Sequence, residues 1–245
     1  MTGPWKNRPR DAIDTAMDVL VKLPGVLEEW DLISTRQPNN ETLCRAKVFK
    51  RYCLEIDSEL RSWYSNFVSL FGHEYPYDAA VLIRGMNCPA QQADIPEILA
   101  RIGLHHLHAM TIYWTSCTIL HATIDLVNNM FPAATDIDRE IPGTAGTSIL
   151  KYLILLGHSA KYFLRSELGL LGTLSISHTT TCLVRTLHAH QSCSPKIDPI
   201  DLEQLKHVMG VMRGLSGFET WRMWKCGMDD WKYDKDGTFP VYLGL

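Results

Sequence analysis

The clearest pattern in the chain is a set of apolar residues spaced three and four apart between Leu43 and Leu70. Its members are Leu43, Ala46, Phe49, Cys53, Ile56, Leu60, Trp63, Phe67 and Leu70. Charged residues fall between them and are expected on the other faces, among them Lys47, Lys50, Arg51, Glu55 and Arg61. This periodicity predicts a long amphipathic helix with one buried seam. A coiled-coil dimer gives the same pattern, but the apolar helices predicted nearby favour packing within the chain.

Two shorter helices are predicted before the seam. Asp11 can cap a first helix that runs to about Leu23 and places on its apolar face Ile13, Met17 and Leu20. Pro24-Gly25 is expected to break this helix, and a short second helix is expected through residues 26–33.

The second half of the chain also predicts helices, because its apolar stretches are long and none alternates as a strand would. Residues 96–130 are apolar on more than one side and predict a central, buried helix. Further helices are predicted over residues 147–165, 173–191 and 199–224. We therefore predict an all-α fold, a single compact helical bundle of about seven helices over residues 1–245, with a core from 10 to 225 and a coil tail from 226 to 245.

Composition and charge exclude several classes of protein. Hydrophobic residues make up 46% and charged residues 21%, which is ordinary for a globular domain. A net charge of −3 provides little electrostatic attraction to nucleic acid. The basic cluster Lys6, Arg8 and Arg10 is expected to be a solvated tail rather than a nuclear-import signal or a phosphate-binding patch. Seven cysteines without a CxxC pair indicate reduced thiols. Without an apolar leader or membrane-length run, we expect an intracellular protein that is neither secreted nor membrane-bound.

The sequence predicts no metal site and no cofactor. His105 and His108 share a helical face, but His121 lies well round the helix, so a third ligand is missing. The acidic run with Asp229, Asp230 and Asp234 lies beside lysines and fits no calcium-binding loop. A glycine-rich phosphate loop and a nucleophile elbow are also absent from the sequence.

The candidate site is a pocket between the helix of residues 96–130 and the helices that follow Gly146, because these segments are apolar on more than one face. Candidate ligand-binding residues are His105, Tyr113, Trp114, His158 and His178. His108 and His121 are the candidates to hydrogen-bond a carbonyl group, which in an enzyme would make them catalytic. The alternative, that these histidines are satisfied core residues without a cavity, stays open.

The order of these segments resembles the carboxy-terminal, all-helical regulatory region (the middle homology region) of fungal-specific zinc-cluster transcription factors. The matching features are LPGVLEE at residues 23–29, Tyr113-Trp114 in a long helix, the break at Gly169 and Gly172, and the segment from Trp221 to Trp224. The resemblance covers most of the chain. The six-cysteine zinc cluster of that family is not in this sequence, so the family's direct, sequence-specific DNA recognition is not expected to carry over.

Two functions fit this resemblance. The first is a stand-alone regulatory or effector-binding domain of a fungal pathway, such as one of secondary metabolism, with a small apolar molecule as its partner and a second protein as a further candidate partner. Its location would be the nucleus if the family's role is kept and the cytoplasm otherwise. The second is a cofactor-independent cyclase of the Diels-Alderase type that folds an apolar terpenoid or polyketide intermediate in a helical pocket by preorganisation.

Overall fold

The computed structural model describes residues 11–74, 103–134 and 149–163, together with Leu168 and Gly172. All regular secondary structure in these ranges is helical. The α-helices are α1 (Ala12–Leu20), α2 (Leu23–Ser34), α3 (Asn40–Glu74), α4 (Leu104–Met130) and α5 (Ile149–Phe163). The all-α prediction is therefore confirmed for the described part of the chain. None of these described helices is both long enough and apolar enough to cross a bilayer.

The chain divides into two compact units, Met1–Ile149 and Leu150–Leu245. Helices α1 to α4 belong to the first unit, and α5 belongs to the second except for its first residue. One bundle of about seven helices stays a prediction. The expected loop at 136–146, the helices at 173–191 and 199–224, and the tail from 226 lie outside the described residues.

Helix α1 begins where the sequence predicts but buries a different face. The Asp14 backbone N–H donates to Asp11 Oδ1 at 2.8 Å, and the Asp11 N–H donates back to Asp14 Oδ2 at 3.3 Å, so the two residues form a capping box. Ala16 and Val19 are the buried residues, whereas Met17 is 40% exposed. The helix also ends at Leu20 instead of about Leu23.

Helix α2 corrects the prediction that Pro24-Gly25 lies outside a helix. Both residues lie in the first turn of α2, where proline is tolerated because its missing N–H would have no partner within the helix. The buried face of this helix carries Leu23, Val26 and Ile33.

Helix α3 contains the predicted seam. Its start is capped by Asn39, whose Oδ1 accepts from the Thr42 backbone N–H at 2.8 Å. Its 35 residues span about 50 Å. The seam residues from Ala46 to Phe67 are buried, and α3 packs against α1, α2 and α4 of the same unit, so packing within the chain is confirmed. Leu70, predicted in the seam, is 71% exposed.

Lys50 is a second correction on α3, because the sequence placed this charge on an outer face. The side chain is fully buried, and its Nζ donates to Asn128 Oδ1 at 2.6 Å and to the Ala134 carbonyl at 3.3 Å. Burial of a lysine requires such partners, since an ammonium group without them is costly to remove from water. These bonds join α3 to the end of α4.

Helix α4 is the central helix of the first unit, as predicted, and it packs against α1, α2 and α3. Every residue from Ala109 to Thr118 is buried, so this helix has no solvent face over almost three turns. Its hydroxyl groups donate to backbone carbonyls one turn earlier, at 2.7–2.9 Å, in Thr111, Thr115, Ser116, Thr118 and Thr123. These local bonds give each of these hydroxyls an acceptor on its own helix.

Helix α5 lies within the range predicted for it, residues 147–165. In the same unit, Gly172 approaches the end of α5 closely: a Cβ atom at this position would lie 1.8 Å from the Phe163 carbonyl oxygen. Only glycine fits such a contact. Gly172 itself has a helical backbone, and Gly169 lies outside the described residues.

Candidate functional site

Four aromatic rings stack between α3 and α4 in the order Phe67, Trp63, Tyr113 and Tyr64. Their successive centroids are 5.0, 5.4 and 4.8 Å apart. The heptad positions of α3 supply Trp63 and Phe67, and Tyr113 projects from the buried part of α4. The Trp63 indole donates to Thr15 Oγ1 of α1 at 3.0 Å. The stack therefore joins three helices of the first unit.

Two buried donors lie on the same two helices, Tyr64 Oη at the end of this stack on α3 and Trp114 Nε1 on α4, at the residue that follows Tyr113. Neither atom is exposed to solvent, and neither has a hydrogen-bond partner among the residues that the structure describes. Leaving such a group unsatisfied costs about 1–3 kcal/mol. Nearly all buried polar atoms in folded proteins are paired, so two unpaired donors within one helix pair call for an acceptor from elsewhere.

Electrostatics keep the Tyr64 phenol neutral. Burial is the main cause that raises the pKa of Tyr64, and the nearby Cys117 thiol raises it further. The Tyr64 ring stacks on Tyr113 of α4, and Cys117 lies one turn after Tyr113 on that helix. A neutral phenol and an indole N–H can both donate a hydrogen bond, and the indole can do nothing else.

A second polar cluster on the same two helices is satisfied internally. His121 Nε2 of α4 lies 2.7 Å from Asp57 Oδ1 of α3, and Arg61 donates through Nε and Nη2 to Asp57 Oδ2 at 2.7 Å. Burial of Asp57 would raise the pKa of its carboxyl, but the hydrogen bond and charge of His121 and the Arg61 guanidinium together lower it. Asp57 is therefore an ionised carboxylate held between two donors.

Three further histidines lie at the amino-terminal end of α4. His105 is exposed and its Nε2 lies 4.0 Å from Asp11 Oδ2, while the His106 ring tilts against Phe67 at 6.1 Å. Burial, and then the charge of His105, lower the pKa of His108. Among the described residues, no three His, Cys, Asp or Glu side chains come together as a metal ion would require.

The predicted site residues fall into different places. Tyr113 is part of the ring stack, and Trp114 carries one of the two buried donors. His108 and His121 are separated by about 20 Å along α4, given the 1.5 Å rise per residue, so they cannot bind the same small carbonyl group. His158 is half-buried on α5 in the second unit, and His178 lies outside the described residues.

The sequence did not single out Tyr64 or Asp57. Tyr64 directly follows Trp63, and Asp57 directly follows Ile56; both preceding residues belong to the apolar seam. The heptad pattern does not decide whether the residue after a seam position is buried or exposed. A polar-tipped aromatic and a carboxylate next to the seam could have been noted as half-buried candidates. Their partners lie 49 to 64 residues further along the chain, so no local pattern identifies them.

Comparison with protein-family models, with curated proteins and with solved structures gives no match for this chain.

Proposed function

We propose that this chain is a helical effector-binding domain that takes a small apolar molecule between α3 and α4. The observation that carries the proposal is the pair of buried donors, Tyr64 Oη and Trp114 Nε1, without partners in the described part of the chain. Apolar walls with a few polar groups are the usual composition of a small-molecule site. The ring stack supplies such walls, and the two donors supply the polar groups.

The resemblance to the regulatory region of fungal zinc-cluster transcription factors supports the regulatory form of this proposal. Binding would act as a signal if it stabilises the packing of α3 on α4, since a ligand shifts an equilibrium only through its different affinities for the two states. A molecule that satisfies both donors favours the packed arrangement, because it offsets the cost of burying them.

Native mass spectrometry of the full chain, purified from the cell that makes it, tests this proposal. We expect a small molecule to co-purify with the wild type and with Tyr52→Phe, a control at a tyrosine of α3 that is 42% exposed. We expect Tyr64→Phe combined with Trp114→Phe to lose most of it. Equal retention by this double variant, or no retained molecule together with no melting-temperature shift by any extract, would show that the donors do not form a binding site.

A cofactor-independent cyclase is the second candidate, favoured by the neutral state of the Tyr64 phenol. A neutral donor that meets a substrate carbonyl can stabilise the charge that develops on its oxygen during a cycloaddition. Incubation with a polyene that carries a carbonyl group, followed by chromatography of the products, separates this function from regulation. The cyclase predicts cyclised product above the uncatalysed rate, with less from Tyr64→Phe or His108→Ala, whereas a binding domain predicts none.

A further inference from the structure

The chemistry around Tyr64 and Trp114 restricts what such a molecule can be. We infer that the molecule bound there is an uncharged carbonyl compound rather than a carboxylate or a hydrocarbon. This inference rests on the proposed function and adds the chemical class of the ligand to it. Three properties of the site lead to it: the direction of its hydrogen bonds, its supply of positive charge, and its apolar surface.

The direction of the hydrogen bonds requires an acceptor. An indole N–H only donates, so whatever meets Trp114 Nε1 must present a lone pair. The Tyr64 hydroxyl can also accept, but its one proton still needs an acceptor when it is buried. A hydrocarbon would cover both groups without satisfying them and would leave the cost of burial in place.

The scarcity of cationic side chains on α3 and α4 around these positions argues against an anionic ligand. Helix α4 contains no lysine or arginine along its whole length, Leu104–Met130. On α3, the cation closest in sequence to Tyr64 is Arg61, one turn earlier, and its guanidinium binds Asp57. A carboxylate brought into this region would lose its hydration without gaining a counter-ion, which is far more costly than burying a neutral carbonyl.

The surrounding surface favours an apolar body for the ligand. Trp114 is completely buried, and its neighbours one turn away on α4 are Met110, Thr111, Cys117 and Thr118, all buried. The two threonine hydroxyls already donate to backbone carbonyls of α4 and leave their methyl groups as the remaining surface. Tyr64 stacks on Tyr113 at the end of the aromatic series. An aldehyde, ketone or ester on a hydrocarbon frame matches this combination of two donors and apolar walls.

Three small probes of nearly the same shape test the inference: acetophenone, α-methylstyrene and benzoate carry a ketone, a methylene group and a carboxylate on one benzene ring. Each is titrated into the full wild-type chain and followed by amide chemical shifts. We expect acetophenone to bind most tightly. Tyr64→Phe should weaken acetophenone about fivefold, the size of one neutral hydrogen bond, and leave α-methylstyrene unchanged, while Tyr52→Phe should alter neither.

The possible failures are distinguishable. If benzoate binds best, or if α-methylstyrene equals acetophenone, the inferred ligand class is wrong while the proposed binding function stands. If no probe shifts any signal at millimolar concentration, the binding function and the inference both fail. The ranking of the three probes on the wild type needs no variant, so a folding defect in Tyr64→Phe does not affect that outcome. Trp114→Phe gives a second, independent loss of one donor.

Discussion

Helices α3 and α4 bury polar side chains in two neighbouring regions that differ in how those groups are satisfied. Around Asp57, the His121 ring and the Arg61 guanidinium both hydrogen-bond to the carboxylate, one on each of its oxygens. About two turns further along α3, the Tyr64 phenol has no partner within the described residues, and neither has the Trp114 indole of α4. The first region is completed by the chain itself, whereas the second has donors to offer to another molecule.

This difference separates a structural role from a binding role on one pair of helices. The contact between Asp57 and His121 fixes which residues of α3 and α4 face each other, because a shift along the helices would separate the buried His121 ring from its carboxylate. Unsatisfied donors lower the stability of the ligand-free fold by the cost of burying them, and this cost is offset only when an acceptor binds. Four predictions test the comparison, from the largest expected effect to the smallest.

Removing the shared acceptor of the satisfied region should have the largest effect. Asp57→Ala leaves His121 buried without its carboxylate and should lower the free energy of unfolding by about 3 kcal/mol, measured by urea denaturation. Glu55→Ala, an exposed carboxylate on the same helix, should change it by less than about 0.5 kcal/mol. Equal losses in the two variants would mean that the Asp57 cluster does not hold the helices together.

The apolar seam that supports both regions should be nearly as sensitive at its centre. Ile56→Ala removes a fully buried side chain and should cost about 2–5 kcal/mol, whereas Leu70→Ala, at an exposed position of the same heptad pattern, should cost less than about 0.5 kcal/mol. Thermal unfolding of both variants checks this. A dimer that Ile56→Asp converts into a folded monomer would show instead that the seam is an interface between two chains.

Acid should weaken the satisfied region specifically. The folded-state pKa of Asp57 is lowered, so its ion pairs stabilise the fold fully above the unfolded carboxyl pKa of about 3.9. That contribution is lost as the pH falls through the lower folded value. Urea unfolding of wild type and Asp57→Asn between pH 6 and about 2.5 should show a stability advantage of the wild type that shrinks below about pH 4. A constant advantage across this range would contradict the ionised state of Asp57.

Removing an unsatisfied hydroxyl should have the smallest effect on the free energy of unfolding, and it should raise this free energy rather than lower it. Without ligand, Tyr64→Phe should raise the free energy of unfolding by about 1 kcal/mol, because it removes the cost of a buried group without a partner. Tyr52→Phe, where the hydroxyl reaches solvent, should stay within about 0.5 kcal/mol of the wild type. A loss of stability in Tyr64→Phe would mean that an ordered water already satisfies the phenol and that the site is filled by solvent.

In the first unit, the sequence predicted where the helices lie better than it predicted which of their side chains are buried. The helix cap at Asp11, the long seam on α3 and the buried character of α4 follow from local spacing, and the structure confirms them. Met17, Leu70 and Lys50 were assigned to the wrong environment, because periodicity gives the angular position of a side chain but not where the neighbouring helix ends. Pro24-Gly25 was wrongly expected outside α2, since a proline in a first turn and one after a helix end look alike in sequence.

Of the residues in the proposed site, the sequence analysis named only Tyr113 and Trp114 on α4, and it expected the pocket between this helix and the helices after Gly146 rather than against α3. Tyr113 and Trp114 stood out because two aromatic residues lie side by side in an apolar helix, and the structure places them at the ring stack and the buried donors. Tyr64 and Asp57 became visible only when α3 was laid against α4. His108 and His121 were grouped because both are histidines, but they lie 13 residues apart on α4, which separates them by about 20 Å along the helix axis.

The sequence by itself determined that the described part of this protein is helical and which stretches lie in its core, because 3.6-residue periodicity and capping are local properties of the chain. Only the tertiary structure decided which buried polar groups find partners. That outcome depends on the axial register of α3 against α4, which brings Asp57 to His121 and stacks Tyr64 on Tyr113 while its hydroxyl meets no acceptor among the described residues. Register is set by the packing of whole helix faces, and no short segment of sequence contains it.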